Sequence, residues 1–267
     1  MYKFGFIGVG NMGGALAKAV IKSAGKEQVI VSDHFEEKTQ EFSLSTGCFV
    51  GTNIDIAQNS KFIFLGVKPQ MMKDMINEIK GKLSQRNDKF ILVSMAAGMP
   101  IEKILGFCQK SYPVIRIMPN MPVLANSGMI LYSTFGDITK DDINEFKKAL
   151  EFAGEIDKIE EDKIDAASAI SGCGPAFVFT FAEALADAGV ECGLTRAKAI
   201  DYAVQTILGS AALMKISDKH SAQLKDEVCS PAGSTICGQR ALEEKGFRSA
   251  VICAVLESYK RTRELGK

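Results

Sequence analysis

Three glycines near the N-terminus have the spacing of a dinucleotide-binding site. Gly8, Gly10 and Gly13 follow a predicted strand over residues 3–7 and open a segment of helix-forming residues. In this pattern the first glycine permits a tight turn, the second lets backbone N–H groups approach a pyrophosphate, and the third lets the helix pack against the strand. A glycine-rich turn without a ligand is the alternative, but the strand before it and the helix after it favour binding.

A second predicted strand, over residues 29–33, ends in an acidic residue. Asp33 lies twenty residues after Gly13, a spacing at which a carboxylate can accept hydrogen bonds from the adenine ribose. Asp is also favoured before a helix, so Asp33 could instead cap the helix predicted to begin near Glu36. The two roles are compatible.

Further loops follow predicted strands at residues 66–70, 94–98 and 118–122. In an open parallel sheet, ligands lie beyond the carboxyl ends of the strands. These loops are short and rich in Gly, Ala and Pro, which suits close approach of the backbone to a flat cofactor. Lys68 could face a phosphate or a ribose, and an ordinary solvated lysine is the alternative.

Two loops in the second half of the chain could also bind a ligand. Residues 171–175 form a glycine-rich turn with Pro175 placed for the first turn of a helix. Residues 224–235 end by opening a long final helix, where hydroxyls and successive N–H groups make a site for a carboxylate. The alternative is that Ser230 or Ser234 only caps that helix.

The elements that carry these loops change in type along the chain. Up to residue 160, predicted strands (3–7, 29–33, 49–50, 62–67, 90–94, 114–117, 129–132 and 155–159) alternate with predicted helices (13–23, 36–45, 54–58, 70–83, 100–107 and 140–153). This alternation predicts a parallel sheet with helices on both faces. In the helix over 70–83, the apolar residues Met71, Met72, Met75, Ile76, Ile79 and Leu83 recur at helical spacing, so we expect the methionines in the core.

From residue 161 onward only helical periodicity is found. The predicted helices are 163–171, 175–191, 196–215, 220–227 and 234–264, the last with a break near Gly246. The segments 176–182 and 199–213 are apolar nearly all round, so they need burial on every side. We therefore predict an α/β Rossmann-type domain over 1–160, an all-α dimerisation domain over 161–267, and an obligate dimer through the second domain.

Composition narrows the class of protein. The 267 residues include 32 basic and 32 acidic side chains, which leaves no electrostatic footprint for nucleic acid or an anionic membrane, so we expect a small-molecule partner. The seven cysteines are widely spaced and never form CxxC, so we expect no disulfide framework, no metal site and a reducing cytoplasm. No cleavable leader is expected, and no apolar run is expected to reach the length of a membrane span.

Seven ordered motifs resemble those of pyrroline-5-carboxylate reductase. They are Gly8-Val9-Gly10-Asn11-Met12-Gly13, Val67-Lys68-Pro69, Ala96-Ala97-Gly98, Arg116-Ile117-Met118-Pro119-Asn120, Ser171-Gly172-Cys173-Gly174-Pro175-Ala176, Ala184-Leu185-Ala186-Asp187-Ala188-Gly189-Val190 and Ser230-Pro231-Ala232-Gly233-Ser234-Thr235. The resemblance implies a Rossmann domain with a helical dimerisation domain, and dimers that often assemble into a decamer. It implies reduction of the cyclic imine 1-pyrroline-5-carboxylate to L-proline with NADPH or NADH, the last step of proline biosynthesis.

The same resemblance implies roles for individual residues. The cofactor pyrophosphate would be held by Gly8, Val9, Gly10, Asn11, Met12 and Gly13. The adenine ribose would be held by Ser32, Asp33 and Asn53. The nicotinamide side would be flanked by Val67, Lys68, Pro69, Ala96 and Ala97. The substrate would be bound by Glu161, Ser230, Gly233, Ser234 and Thr235. The Thr235 hydroxyl would reach the ring nitrogen, and this loop of one subunit would face the nucleotide domain of the other. A protonated imine is already electrophilic, so no strong acid or base is needed, and His34 and His220 are expected on the surface.

The chain departs from the family pattern at a few positions. Relatives usually have Ser where this chain has Cys173, Gly where it has Ala232, and Thr where it has Ser234 or Met121. Ala232 matters most, because its Cβ would obstruct a position that requires positive φ. Asp33 stands where many relatives place a residue that tolerates a 2′-phosphate, and a carboxylate there should repel that phosphate. We therefore predict that NADH is used at least as well as NADPH.

Two other functions are possible for a Rossmann domain followed by helices, and the sequence argues against both. A hydroxyacid dehydrogenase of the 6-phosphogluconate type needs a catalytic lysine on the helix after the glycine-rich turn, and residues 174–193 contain none. A catalytically silent nucleotide sensor on the same fold would bind dinucleotide without turnover. Intact glycines in both loops and the retained Thr235 argue against the sensor.

Overall fold

The structure, a computed structural model, describes residues 1–265 of the chain, and the last two residues of the predicted second domain lie outside this range. Contacts divide the chain into two compact units. The first comprises Met1–Gly172 together with the residues from Tyr259 onward, and the second comprises Cys173–Ser258. The predicted boundary between residues 160 and 161 falls before this division, and it stays a prediction. Each unit is described by itself below.

The first unit is built on one eight-stranded sheet. Its strands are β1 Tyr2–Ile7, β2 Val29–Ser32, β3 Phe49–Val50, β4 Ser60–Leu65, β5 Ile91–Ser94, β6 Val114–Met118, β7 Gly128–Phe135 and β8 Gly154–Lys158. All eight predicted strands are present. Their order in the sheet is β3-β2-β1-β4-β5-β6-β7-β8, which contains the doubly wound 3-2-1-4-5-6 order of dinucleotide-binding folds.

The prediction of an all-parallel sheet is wrong at one pair of strands. β7 pairs antiparallel with β6, with Arg116 opposite Ser133, and β8 is parallel to β7. A parallel connection needs a crossover of a dozen or more residues. Between β6 and β7 the chain makes only a short 3-10 turn, Met121–Ala125, so the chain reverses its direction there.

Helices cover both faces of this sheet. They are α1 Asn11–Ala24, α2 Glu36–Thr46, α3 Asn53–Asn59, α4 Met72–Ser84, α5 Ile101–Cys108, α6 Lys140–Ala149 and α7 Ile164–Ser171. The central strands are buried on both sides, as expected of parallel strands between two helical layers. Phe4 stacks on Phe62, and Phe6 on Phe64 with ring centroids 4.3 Å apart. These pairs join β1 to β4, the strands between which the order reverses.

The second unit consists of helices in its described residues. They are α8 Gly174–Glu191, α9 Arg196–Ile216, α10 Ser221–Val228, α11 Ser234–Glu244 and α12 Phe247–Leu265, whose last residues group with the first unit. The predicted break near Gly246 is confirmed, because that glycine has φ +71° and separates α11 from α12. Small side chains of α8 and α9 are buried against each other, with Ala186, Ala199 and Ala203 at the contact.

The expectation that no apolar run has the length of a membrane span is wrong. The helical segment Glu161–Glu191 is 31 residues long, and its most apolar window has a mean hydropathy of 1.4 with 11% of its residues buried. By length and composition it could cross a membrane. The expected turn at residues 171–175 is present, because Gly172 and Cys173 form a turn between α7 and α8, although both keep right-handed helical angles.

Candidate active site

A cleft lies at the carboxyl ends of β1 and β4. From β1 the chain adds β2 and β3 on one side, and then returns to add β4 and the later strands on the other side. Open α/β sheets bind ligands at such a switch point. The cleft has a volume of about 460 Å³ and is lined by the glycine loop, the end of β2, Asn53, the residues after β4 and the first turns of α4. The fold thus places two of the predicted cofactor loops, the glycine loop and residues 66–70, around one opening.

Two of the three glycines are required by the protein itself. Gly8 has φ +99°, and a Cβ there would lie 2.7 Å from the carbonyl oxygen of Gly66. A Cβ on Gly13 would lie 2.1 Å from the carbonyl oxygen of Gly8. Real Cβ atoms do not approach backbone this closely, so β1, β4 and α1 reach their observed separation only with glycine at both positions.

Gly10 differs, because its position is open. A Cβ there would meet no atom within 4 Å, and its φ of −63° is available to any residue. Gly10 is also the residue that precedes α1, and no side chain caps the first N–H groups of that helix. Unpaired donors and the helix dipole favour an anion at such a place. The space in front of Gly10 and these donors therefore fit a dinucleotide pyrophosphate.

Asp33 braces the glycine loop. Its Oδ2 accepts a hydrogen bond from the Val9 N–H at 2.9 Å, and its Oδ1 accepts one from the Phe35 N–H at 3.1 Å. The residue that precedes α2 is Phe35, without a side-chain cap. The alternative that Asp33 caps the following helix is therefore wrong, because its carboxylate forms a local turn and a tie to β1 instead. Asp33 still lines the cleft.

A chain of hydrogen bonds continues from β2 along the cleft wall. The buried Ser32 hydroxyl donates to Asn53 Oδ1 at 2.7 Å, and Asn53 Nδ2 donates to Glu78 Oε2 at 2.8 Å. Asn53 is the first residue of α3, and Glu78 belongs to α4. The predicted ribose residues Ser32, Asp33 and Asn53 are thus adjacent in space.

The predicted cofactor residues fall into two groups. Lining the cleft are Gly8, Gly10, Asp33, Asn53, Val67 and Lys68. The others flank it: Val9 and Ser32 through the hydrogen bonds above, Asn11, Met12 and Gly13 in the first turn of α1, Pro69 at the start of a 3-10 turn, and Ala96 and Ala97 in the loop after β5. Ala96 is buried in the core as a whole residue, so its side chain does not line the cleft.

Glu161 has two partners within the first unit. Its Oε1 accepts a hydrogen bond from the Ile101 N–H at 2.7 Å and lies 3.4 Å from Arg116 Nη1. Arg116 Nη2 also pairs with Asp165 Oδ1 at 3.0 Å. The predicted substrate role of Glu161 stays a prediction, and these contacts show that its carboxylate joins the start of α5 to β6.

The predicted substrate loop lies in the second unit, where Gly233 precedes α11. No side chain caps this helix, so the alternative that Ser230 or Ser234 caps it is wrong. Its first N–H groups are available to an anion such as a carboxylate. Thr235 lies in the first turn and is exposed in the single chain.

Ala232 has φ +54°, so the expectation that this loop needs positive φ at residue 232 is confirmed. A Cβ on Gly233 would lie 2.3 Å from the Ser230 hydroxyl oxygen. The turn is thus tight at two successive residues, and alanine adopts the left-handed conformation at the first of them.

Comparisons with known proteins match the whole chain. A family model described as pyrroline-5-carboxylate reductase dimerisation matches residues 161–265, and one described as NADP oxidoreductase coenzyme F420-dependent matches residues 3–98. A pyrroline-5-carboxylate reductase of Pisum sativum is 37% identical over 99% of this chain and 96% of that protein. Pyrroline-5-carboxylate reductase 3 of Danio rerio is 39% identical over 99% and 91%. The chain belongs to the pyrroline-5-carboxylate reductase family.

Solved structures agree with this assignment. The structure of a Plasmodium falciparum pyrroline carboxylate reductase with NADP bound has a TM-score of 0.89 to this chain at 32% identity, covering 100% of this chain and 98% of that one. Family membership also gives a context to the apolar segment Glu161–Glu191, because it opens the region that the dimerisation model matches.

In this pyrroline-5-carboxylate reductase family member, four residues of the cleft wall had no role predicted from the sequence. His34, Phe35, Lys38 and Met71 also line the cleft. Met72 and Met75 are buried as predicted, but Met71 is 40% exposed, because residues 69–71 form a 3-10 turn before α4 begins. His34 and His220 are exposed as predicted. The proline after Lys68 was the available signal that the helix starts later.

Proposed function

We propose that this chain reduces 1-pyrroline-5-carboxylate to L-proline with NADPH or NADH, the last step of proline biosynthesis. The observation that carries the proposal is similarity over 99% of the chain, at 37% identity, to an enzyme named for that substrate. The open position at Gly10 and the uncapped start of α1 support dinucleotide binding independently. The bound dinucleotide supplies the hydride.

The chain's own residues then have three tasks. Gly8, Gly10 and the first turn of α1 hold the pyrophosphate, and Ser32, Asp33 and Asn53 hold the adenine ribose. Val67, Lys68 and Pro69, with the loop after β5, orient the nicotinamide. Because a protonated imine is already electrophilic, orientation and exclusion of water supply most of the rate.

The substrate is held by the loop before α11. The uncapped N–H groups of Gly233, Ser234 and Thr235 bind its carboxylate. The Ser230 hydroxyl supports the loop, and the Thr235 hydroxyl oxygen accepts a hydrogen bond from the protonated ring nitrogen, which keeps the imine in its reactive orientation. Glu161 lies beside the substrate in this proposal. As the family resemblance implies, the loop of one subunit serves the nucleotide unit of the other.

The oligomer is proposed to be a homodimer, with a pentamer of dimers as its larger assembly. The dimerisation model that matches residues 161–265 supports the dimer. Large apolar side chains of the second unit, among them Phe179, Leu208 and Ile252, are exposed in the single chain, as expected of a surface covered by a second copy. The partner is a small imino acid, and neither nucleic acid nor a membrane is involved. A reducing cytoplasm is proposed because all seven cysteines are free thiols.

The proposal also concerns the choice of cofactor: NADH serves at least as well as NADPH. The reason is the Asp33 carboxylate at the ribose end of the cleft, which repels a 2′-phosphate. Lys38 lines the same cleft and carries the opposite charge, so the preference is a balance that a substitution can shift.

Asp33→Asn tests this preference. Asparagine keeps an oxygen that can accept from the Val9 or Phe35 N–H and removes the charge, whereas Asp33→Ser shortens the side chain and loses these contacts as well. We expect Asp33→Asn to raise kcat/KM for NADPH relative to NADH by about tenfold, the equivalent of 1.4 kcal/mol. An unchanged ratio in this variant would contradict the role given to Asp33.

The activity itself is tested by the loss of nicotinamide absorbance when the purified chain meets pyrroline-5-carboxylate, with proline identified as the product. NADH and NADPH are run in parallel. Turnover with either supports the proposal. Binding of dinucleotide without turnover would favour the nucleotide sensor instead.

A further inference from the structure

Arg116 is a buried cation next to the end of β5, where the loop with the predicted nicotinamide residues begins. Its side chain, on β6, is 3% exposed, and its only charged neighbours within 4 Å in the described residues are Glu161 and Asp165. Its Nε is buried without a hydrogen-bond partner. Leaving a buried donor unpaired costs about 1–3 kcal/mol, so stability alone does not account for an arginine at this position.

Through Glu161, this arginine is tied to the start of α5. Pro100 precedes α5 and has no side chain that can cap a helix. The Glu161 carboxylate, sixty residues further along the chain, takes that place by accepting from the Ile101 N–H at 2.7 Å. A negative charge is stabilising at a helix N-terminus. Arg116 Nη1 lies 3.4 Å from the same carboxylate oxygen.

The segment between these anchors contains the predicted nicotinamide residues. β5 ends at Ser94, which lies directly opposite Arg116 in the sheet, and α5 begins at Ile101. The loop of residues 95–100 runs between them and contains Ala96 and Ala97. Both ends of the loop thus lie next to one cluster of charged side chains, in which Arg116 is buried and Glu161 and Asp165 are partly exposed.

We propose that Arg116 is a positioning residue for hydride transfer, which acts by holding Glu161 on the start of α5 and so fixing the loop that faces the nicotinamide. The inference rests on the proposed function. Arg116 touches neither substrate nor cofactor in this scheme. Asp165 takes the second Nη of Arg116 and orients the guanidinium toward Glu161.

Release of this loop should affect the nicotinamide half of the cofactor and spare the adenosine half. In the proposed function the adenosine half is held by β1, β2 and α1, whereas the cluster residues belong to β6, α7 and the turn before α7. NADH affinity should therefore fall, whereas the affinity for ADP-ribose, which lacks the nicotinamide, should stay unchanged. A misplacement of about 1 Å can cost about a hundredfold in rate, so the fall in kcat should exceed the rise in KM for the imine.

The experiment compares Arg116→Met, Glu161→Ala and Glu161→Gln in the full chain. NADH and ADP-ribose binding are measured by calorimetry, and kcat and KM are measured separately. We expect NADH binding to weaken about tenfold in Arg116→Met and Glu161→Ala. Glu161→Gln should lose less, because its amide oxygen can still accept from the Ile101 N–H. ADP-ribose binding should match that of the wild type throughout.

Arg86→Met is the matched control. Arg86 is also buried, with 4% exposure, and pairs with Asp88 and with the carbonyls of Ala57 and Ser60. It lies near the amino end of β4, away from the cleft. We expect Arg86→Met to lose stability while its ratio of NADH to ADP-ribose affinity stays at the wild-type value.

Equal loss of both ligands in Arg116→Met and Glu161→Ala, or no loss of either, would overturn the proposal. If Arg116→Met fails to fold, the two Glu161 variants decide it. Because the binding measurements contain no imine, a role of Glu161 in substrate binding cannot produce the expected result. Wild-type protein that binds NADH but does not reduce the imine would refute the proposed function, and the binding ratios would still decide the role of Arg116.

Discussion

At the scale of single residues, Gly10 is a glycine that the fold does not require and that the proposed ligand does. A Cβ at Gly10 meets open space, whereas a Cβ at Gly13 would lie 2.1 Å from a backbone oxygen. We predict that Gly10→Ala keeps the wild-type stability within about 0.5 kcal/mol and weakens NADH binding about tenfold or more, because the methyl group occupies space that the pyrophosphate needs. Thermal unfolding and calorimetric titration measure the two effects.

Gly13→Ala is the comparison for this prediction. It should destabilise the protein strongly, because the helix must move away from β1 to admit the methyl group. Wild-type NADH affinity in a folded Gly10→Ala protein would show that the pyrophosphate does not lie in front of this residue.

At Ala232 the backbone conformation suits glycine better than alanine. Its φ of +54° is unfavourable for an L-residue by about 1–2 kcal/mol. Glycine removes that strain but makes the unfolded chain more flexible, which costs about 0.4–1 kcal/mol. We predict that Ala232→Gly raises the free energy of unfolding by about 0.5 kcal/mol in net terms, measured at a fixed protomer concentration. Ala241→Gly, in the middle of α11, should instead lower it by about 1 kcal/mol. Destabilisation in both variants would mean that φ at Ala232 is not strained.

At the scale of elements, a small ionic network joins α6 to the sheet. Asp142 is buried and lies 2.9 Å from Lys61 Nζ and 2.8 Å from Lys89 Nζ. Burial by itself raises the pKa of Asp142, but hydrogen bonds from Lys89, Lys61 and Thr139 outweigh it and hold this pKa well below its usual range. The carboxylate therefore stabilises the folded state in its charged form.

This network predicts how stability depends on pH. Because the pKa of Asp142 is lower in the folded than in the unfolded chain, its contribution is present at neutral pH and is lost as the pH falls below about 4. We predict that Asp142→Asn lowers the free energy of unfolding by about 2 kcal/mol at pH 7 and flattens its decline toward acid. Asparagine can still accept the capping hydrogen bond from the Thr139 N–H, so the variant isolates the charge.

The measurement is denaturant unfolding at several pH values. Asp141, the exposed neighbour in the same helix turn, supplies the control, and Asp141→Asn should follow the wild-type profile. Parallel pH profiles for wild type and Asp142→Asn would refute the role of this carboxylate.

The motif Arg116-Ile117-Met118-Pro119-Asn120, which begins on β6, also attaches a helix to the sheet. Alternate residues point to one face, and there Arg116 pairs with Asp165, Met118 packs in one cluster with Ile164, and Asn120 Nδ2 donates to the Ser171 carbonyl at 2.8 Å. These three contacts attach α7, through residues near its two ends, to the end of β6 and to the residues that follow it.

At the scale of the whole molecule, the exposed apolar side chains of the second unit predict a dimer. Leu208, on α9, is 61% exposed in the single chain. We predict that the wild type has at least twice the chain mass of 28.9 kDa in solution and that Leu208→Glu shifts it toward the monomer, because a charge cannot be buried there unpaired. Light scattering after gel filtration measures the mass.

Leu44→Glu is the matched control for this prediction. Leu44 is 88% exposed on α2 of the first unit, outside the region that the dimerisation model matches, so the variant should keep the wild-type mass. A stable wild-type monomer would contradict the dimer, and an unchanged mass in Leu208→Glu would show that α9 does not contribute to it.

Local pattern in the sequence was enough to predict the elements and the glycine loop. A period of two or of 3.6 residues reports which side of a segment is buried, so all eight strands and the break at Gly246 were predicted correctly. The positive φ at Ala232 was expected from the family resemblance and not from the local pattern, because alanine by itself does not indicate a left-handed conformation.

Only the tertiary structure decided which distant groups meet. The antiparallel course of β7, the tie from Asp33 to Val9 and the capping of α5 by Glu161 all join segments whose separation in space depends on strand pairing. Periodicity contains no information about such pairing, because it describes one segment at a time. For the same reason the sequence pointed to Glu161 only as a substrate neighbour, and the contact with Ile101 that gives Arg116 its proposed role became visible in the fold.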